Sequence, residues 1–312
     1  MVVDAGGKSH GTIGGSLLEA GAIDEARRIL ATRRSKFVEF DLAGAGADST
    51  GMICGGKAVA LLDYVAATGE NIDVFRGWCE ATKAGASFYF LTCVKKSSRG
   101  TIISGHSLLF PDGNTAGTPN LSPVQLETVK AAARGISVTT IVPVGGTRVV
   151  IDPVRKSKTL YCFGGGHVAV PTVHIAAMVG FCVVVIDDRA EFASAERFPE
   201  AERTCVVKNY AGAFEGLEID GDSFVVIMTR GHQFDRVVLE QALKTRASYI
   251  GMISSLSKRN AVYKALLAKG VDKKALERVH SPIGIAIGSE TPEEIAVSIV
   301  AQLIEQRARR LT

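Results

Sequence analysis

The sequence has little of what marks a membrane, secreted or nucleic-acid-binding protein. No apolar run reaches the roughly 18 to 20 residues that a bilayer span needs, and the first residues carry no signal-peptide pattern. A cytoplasmic chain is the expectation. The six cysteines (Cys54, Cys79, Cys93, Cys162, Cys182 and Cys205) show neither a C-x-x-C pair nor zinc-ribbon spacing, so no disulfide framework is expected. Cys162 and Cys182 lie inside apolar strand-like runs and read as buried, reduced thiols. Basic excess is lacking too: 36 basic against 32 acidic residues leave a net charge of +4, too balanced to point to nucleic acid. What remains is an ordinary soluble composition, 46% apolar and 22% charged, over 312 residues. That length suits two domains.

The most informative stretch present is Thr159 to Phe163, Gly164-Gly165-Gly166-His167-Val168-Ala169, an apolar helical run, then Phe181 to Asp188. It reads as strand, glycine turn, helix, strand and acid. Gly164, Gly166 and Ala169 fit the G-x-G-x-x-[G/A] pattern, and Asp187-Asp188 follow at the distance of a ribose-binding carboxylate. Gly164 would turn the chain out of the strand, Gly166 would admit a diphosphate to the backbone, and Ala169 would let the helix pack on the sheet. The diphosphate would lie on the helix N-terminus, where N–H groups and the helix dipole favour negative charge.

Upstream, Val2-Val3 reads as a strand entering the Gly6-Gly7 turn, and Ser16 with Glu19 has capping-box spacing for a helix from Leu17 to about Arg34. Gly14-Gly15 ahead of that helix is either an anion or carbonyl site or a tight turn. Strands are expected at 36–42 and 58–64, with Gly51-Met52-Ile53-Cys54-Gly55-Gly56 between them. Cys54 is the only cysteine flanked by glycines: a reachable thiol able to serve as metal ligand or nucleophile, or a small turn residue. Helices near 71–84 and 123–134 interleave with strands near 87–94, 100–110, 137–143 and 148–153, giving an α+β domain over 1–154. The polar stretch 153–158 reads as the linker to a second domain over 155–312.

In that second domain strands near 204–207, 224–228 and 249–253 alternate with helices, the pattern of a Rossmann-like doubly wound parallel sheet in an α/β chain. Loops at the carboxyl ends of the strands are the functional ones, which nominates Thr229, His232 and Ser255 beside the glycine turn. His232 can bond a ribose or carry a proton, or simply cap the next helix. Lys258 and Arg259 are phosphate contacts or a solvated helix face, and His167 is a pocket wall more than a proton carrier. Thr291, Pro292 and Glu294 open a closing helix that runs to about Arg307.

The ordered motifs resemble the xanthine dehydrogenase accessory proteins of XdhC/CoxI type, maturation factors of molybdenum hydroxylases. The resemblance rests on Gly11-Thr12-Ile13-Gly14-Gly15-Ser16-x-x-Glu19, on the Cys54 glycine segment, and on Phe163 to Ala169. Thr229-x-Gly231-His232-x-x-Asp235, Tyr249-Ile250-Gly251-Met252-Ile253-x-Ser255, Pro282-Ile283-Gly284 and Thr291 to Ala296 complete it. It implies a protein that binds molybdenum cofactor (molybdopterin) and hands it, after sulfuration, to an apo-molybdenum hydroxylase of xanthine dehydrogenase or CO dehydrogenase type. It further implies a site for NAD(P) or a related nucleotide, a homodimer, and a cysteine desulfurase as a further partner. Cofactor contacts would come from Gly14, Gly15, Ser16, Glu19, Cys54, Gly55 and Gly56, with Cys54 as the metal ligand. The second set is Gly164, Gly165, Gly166, His167, Val168, Ala169, Asp187, Asp188, Thr229, His232 and Ser255.

Two departures are visible. Ser16 and Ser254 stand where the family has glycine, and the segment that usually precedes the match to Met1-Val2-Val3 is missing, so a truncated start is expected. Two other classes compete with the maturation factor: an NAD(P)-dependent oxidoreductase using His232 as acid/base, and a regulatory protein that senses nucleotide. Hydride transfer needs a substrate clamp beside the proton donor, and the sequence offers none.

Overall fold

The computed structural model describes residues 1–14, 16–41, 57–97 and 100–309. It divides into two compact units, Met1–Lys156 and Ser157–Thr312.

The first unit begins with a small antiparallel pair, β1 (Val2–Val3) and β2 (Ser9–His10), then α1 (Ser16–Thr32). That helix stops two residues short of expectation because Arg33 takes a left-handed φ of 55°. β3 (Lys36–Asp41) and β4 (Lys57–Leu62) pair antiparallel, followed by α2 (Gly69–Lys83). β5 (Phe88–Ser97), β6 (Gly100–Leu109), β7 (Thr115–Gly117), α3 (Pro123–Ala133), β8 (Thr140–Val144) and β9 (Thr147–Val154) complete the unit. Five of these strands form one antiparallel sheet in the order β7-β6-β5-β9-β8. The period-two alternation of β5 explains its two cores: Leu91 and Cys93 pack with Val129 and Ala133 of α3, while Phe88 packs with Val74 of α2. A capping box joins Ser122 and Gln125 at the start of α3, with Pro123 in its first turn. β9 runs one residue beyond the strand expected to end at Pro153, so Val154, read from sequence as linker, finishes it.

The second unit runs β10 (Thr159–Phe163), α4 (Ala169–Met178), β11 (Cys182–Asp187), β12 (Arg203–Val206), β13 (Ser223–Ile227), α5 (His232–Ala242) and β14 (Tyr249–Met252). α6 (Leu256–Ala268), α7 (Lys273–Glu277), β15 (Val279–His280) and α8 (Pro292–Arg309) follow. All six strands are parallel, in the order β12-β11-β10-β13-β14-β15. This is the doubly wound arrangement expected from sequence. The apolar runs of β10 and β13 are buried on both faces: α4 and α8 cover one side through Ala169, Val173, Ile299 and Leu303, and α5, α6 and α7 the other through Val238, Leu239, Val262 and Leu276. Thr291 and Glu294 cap each other's backbone at the start of α8. β15 and α7 escaped the sequence because two and five residues are too few to show a period.

Strand order reverses between β10 and β13, so their carboxyl ends flank the crevice where such sheets bind ligands. Among the described residues no helix is long and apolar enough to cross a membrane.

Candidate functional site

The turn leaving β10 is built by three glycines with three different reasons. Gly164 has φ +107°, donates its N–H to the Ile186 carbonyl at 2.7 Å, and would bring a Cβ to 2.4 Å from the Met228 carbonyl oxygen. A Cβ on Gly165 would lie 1.8 Å from the Phe192 carbonyl oxygen. Its N–H donates to Asp187 at 2.9 Å, and its own carbonyl accepts from Arg197 Nε at 2.9 Å. Gly165, expected among the cofactor contacts, is the most tightly enclosed of the three. At Gly166 a Cβ would meet nothing within 4 Å. The backbone there is open, as a ligand-facing position requires. Ala169 is fully buried against the sheet, and no side chain caps the N-terminus of α4.

Asp187, the nominated ribose acid, is fully buried. In place of a ribose it receives the Gly165 N–H and, from Arg189, the backbone N at 3.0 Å, Nε at 3.0 Å and Nη2 at 3.1 Å. Burial would raise its carboxyl, but the Arg189 guanidinium and the two backbone N–H groups outweigh burial and hold it below its ordinary value. Asp188 is nearly as engaged: Oδ2 accepts from Arg230 Nη2 at 2.8 Å, Arg189 Nε lies 3.8 Å from Oδ1, and that Oδ1 is buried without a hydrogen bond.

Across the switch point, the Thr229 motif closes on itself. Thr229 donates its N–H at 3.1 Å and its hydroxyl at 2.6 Å to buried Asp235, whose carboxylate also pairs with Lys258 from α6. Lys258 additionally donates to the Ile253 carbonyl at 3.3 Å, so its ammonium is engaged within the unit and does not lie on a fully solvated helix face. Asp235 is the organising residue that sequence reasoning left out of its candidate set; its place in Thr229-x-Gly231-His232-x-x-Asp235 was the available signal. His232 does not cap α5, since Gly231 is the cap residue, and both His232 and His167 are exposed. Ser255 caps α6 by accepting from the Lys258 backbone at 3.2 Å. Arg259 reaches the Ser281 carbonyl at 3.3 Å, and Ser254 bonds the Ser281 hydroxyl at 2.7 Å.

In the first unit Gly14 has φ +122° and donates to the Thr12 hydroxyl at 3.2 Å. That hydroxyl also bonds the Glu19 carboxylate, so Glu19 reaches back to Thr12. Ser16 itself opens α1. Gly15, Cys54, Gly55 and Gly56 lie outside the described residues. Among the described residues no group of three or more His, Cys, Asp or Glu side chains is arranged to hold a metal. Burial pushes the Cys93 thiol up to about 11 and the Cys162 thiol up to about 12, which disqualifies both as nucleophiles.

One buried polar cluster went unnominated. His106 is 3% exposed, with Nε2 2.6 Å from Asp63 and Nδ1 2.9 Å from Asn71, and its ring stacks on Phe90. Ser35 donates to Asp63 at 2.9 Å, facing the carboxylate and not the imidazole. That order gives no activated nucleophile and reads as a structural tie. A recess of about 260 Å³ in the same unit, edged by Tyr89, Phe110, Asp112, Lys130 and Arg134, contains none of the nominated residues.

The parallel sheet and its glycine turn define a protein with a Rossmann-type fold. Residues 160–303 match the XdhC Rossmann domain and residues 1–41 the XdhC and CoxI family; together these cover more than half the chain, which belongs to the XdhC and CoxI family. An uncharacterized protein, YqeB, from Escherichia coli K12 is 32% identical over 161 residues, which are 52% of this chain and 29% of that protein. A Bacillus subtilis 168 protein named as a probable component of xanthine dehydrogenase is 32% identical over 165 residues, 52% of this chain and 47% of that protein. The matches thus span less than half the length of either relative. A crystal structure described as a xanthine dehydrogenase from Bacillus halodurans superimposes with a TM-score of 0.77 at 25% identity, covering 96% of this chain and 83% of that one.

Proposed function

We propose that this protein is an accessory factor that binds molybdenum cofactor and delivers it to a molybdenum hydroxylase of xanthine dehydrogenase or CO dehydrogenase type. The observation that carries the reading is family membership supported at both ends of the chain, with relatives whose names refer to xanthine dehydrogenase.

The donor chemistry of the second unit fits the phosphate-bearing part of such a ligand. The glycine turn offers an open backbone at Gly166 and an uncapped helix start, where an anion is favoured. His167 and His232 stand exposed at that crevice. The cofactor, when bound, supplies the molybdenum centre of the client; the chain's own part is to hold its anionic tail. The candidate sulfur ligand is Cys54, on the strength of its glycine-flanked sequence. An apo-hydroxylase is the principal partner, a cysteine desulfurase the source of sulfur, a homodimer the working state and the cytoplasm its compartment.

The test is co-expression with molybdenum cofactor synthesis, followed by assay of molybdenum, pterin and nucleotide on the purified protein. Molybdenum and pterin should co-purify with the wild type and be lost from Cys54→Ala, with both proteins equally folded by circular dichroism. Nucleotide without pterin would overturn delivery in favour of a sensor. Oxidation of NADPH on addition of a substrate panel would overturn it in favour of an oxidoreductase.

A further inference from the structure

We infer that the nucleotide pocket of the second unit selects a 2′-phosphorylated ribose over a free ribose diol, with Arg230 as the specificity-determining residue. The inference rests on the reading that this unit binds a nucleotide. A diol is recognised by a carboxylate oxygen with a free lone pair at the end of the second strand. No such oxygen is offered here. Both oxygens of Asp187 are engaged by Gly165 and Arg189, Asp188 Oδ2 is held by Arg230, and Asp188 Oδ1 is buried where no hydroxyl can reach it.

Donors, in contrast, are in surplus. Arg189 and Arg230 pair with the two carboxylates, and Arg197 adjoins the same turn through the Gly165 carbonyl. Arg189 lies 3.5 Å and Arg197 5.0 Å from the centre of the Phe192 ring, which orders both guanidinium groups. Arg230 is 41% exposed, rests 4.9 Å from the Phe234 ring and commits one nitrogen to Asp188. Most of its five N–H groups remain for a ligand. Lys208, exposed just past the end of β12, adds a further cation on the same carboxyl edge of the sheet. A planar guanidinium beside an acid already neutralised is suited to a phosphate dianion.

Calorimetry on the full chain tests this with adenosine 2′,5′-bisphosphate, adenosine 5′-monophosphate and adenosine 3′,5′-bisphosphate. The 2′,5′-bisphosphate should bind about tenfold or more tightly than the monophosphate, a difference of the size that one charge-assisted contact supplies. The 3′,5′-isomer, equal in charge, should bind more weakly than the 2′,5′-isomer. Arg230→Ala should abolish the preference and, by freeing Asp188 Oδ2, improve binding of the monophosphate, while its thermal unfolding midpoint stays near that of the wild type. Equal or tighter binding of the monophosphate by the wild type, or no distinction between the bisphosphates, would overturn the selectivity and leave the nucleotide reading standing. Failure of all three to bind at millimolar concentration would overturn that reading together with the selectivity.

Discussion

Gly165 and Gly166 are neighbours with opposite constraints, and substituting each by alanine separates structure from ligand contact. A methyl group at Gly165 would collide with the Phe192 carbonyl at 1.8 Å, and backbone cannot step aside as a flexible side chain can. Gly165→Ala should therefore cost about 3 kcal/mol, at the upper end of overpacking penalties, read from urea unfolding. Gly166→Ala meets no atom and should unfold like the wild type while weakening nucleotide binding; equal destabilisation of the two would show that openness at Gly166 is not real. Asp187 carries a pH signature. Its folded value is held below the ordinary 3.8, so its contribution is complete above that value and fades as pH falls through the depressed folded one. Asp187→Asn should be less stable than the wild type by about 3 kcal/mol at neutral pH, the scale for removing one member of a buried pair. The gap should narrow toward zero in strongly acidic solution; a constant gap across that range would refute the linkage.

At the scale of elements, Asp235 joins three of them: the loop after β13, the first turn of α5, and α6 through Lys258. Removing the buried carboxylate takes the ion-pair partner from Lys258 and leaves the Thr229 N–H unpaired, so Asp235→Ala should cost about 3 to 5 kcal/mol. Lys258→Met should also destabilise by leaving the carboxylate uncompensated, and the double variant should lose clearly less than the two single losses added together. Additive losses would mean the two side chains do not act as a pair. Elements were the level most legible in the sequence. The βαβ pattern around Gly164, the Thr291–Glu294 cap and the buried runs of β10 and β13 follow from periodicity and cap chemistry, which are local. Less legible was where each polar side chain would point. Asp187 reads in sequence as a ligand acid and lies inward, because its partner Arg189 is two residues on while Gly165 is brought to it only by strand pairing. Lys258 and Asp235 are likewise joined by the packing of two helices, which no local pattern records. His106, Asp63 and Asn71 meet only because β6, the end of β4 and α2 converge.

At the scale of the whole molecule, each unit carries its own buried core, with two clusters in the first and two in the second among the described residues. The ligand-facing edge of the second unit likewise has two kinds of position. Gly164, Gly165, Asp187, Arg189 and Arg197 hold one another by backbone contact and ion pairs, whereas Gly166, His167, Arg230 and His232 meet few such demands. Descent with modification would treat these sets differently. Members of the first can change only in concert, because a lone replacement strands a buried partner. Members of the second can drift one at a time, so a lineage could trade one anionic ligand for another without rebuilding the turn beneath it.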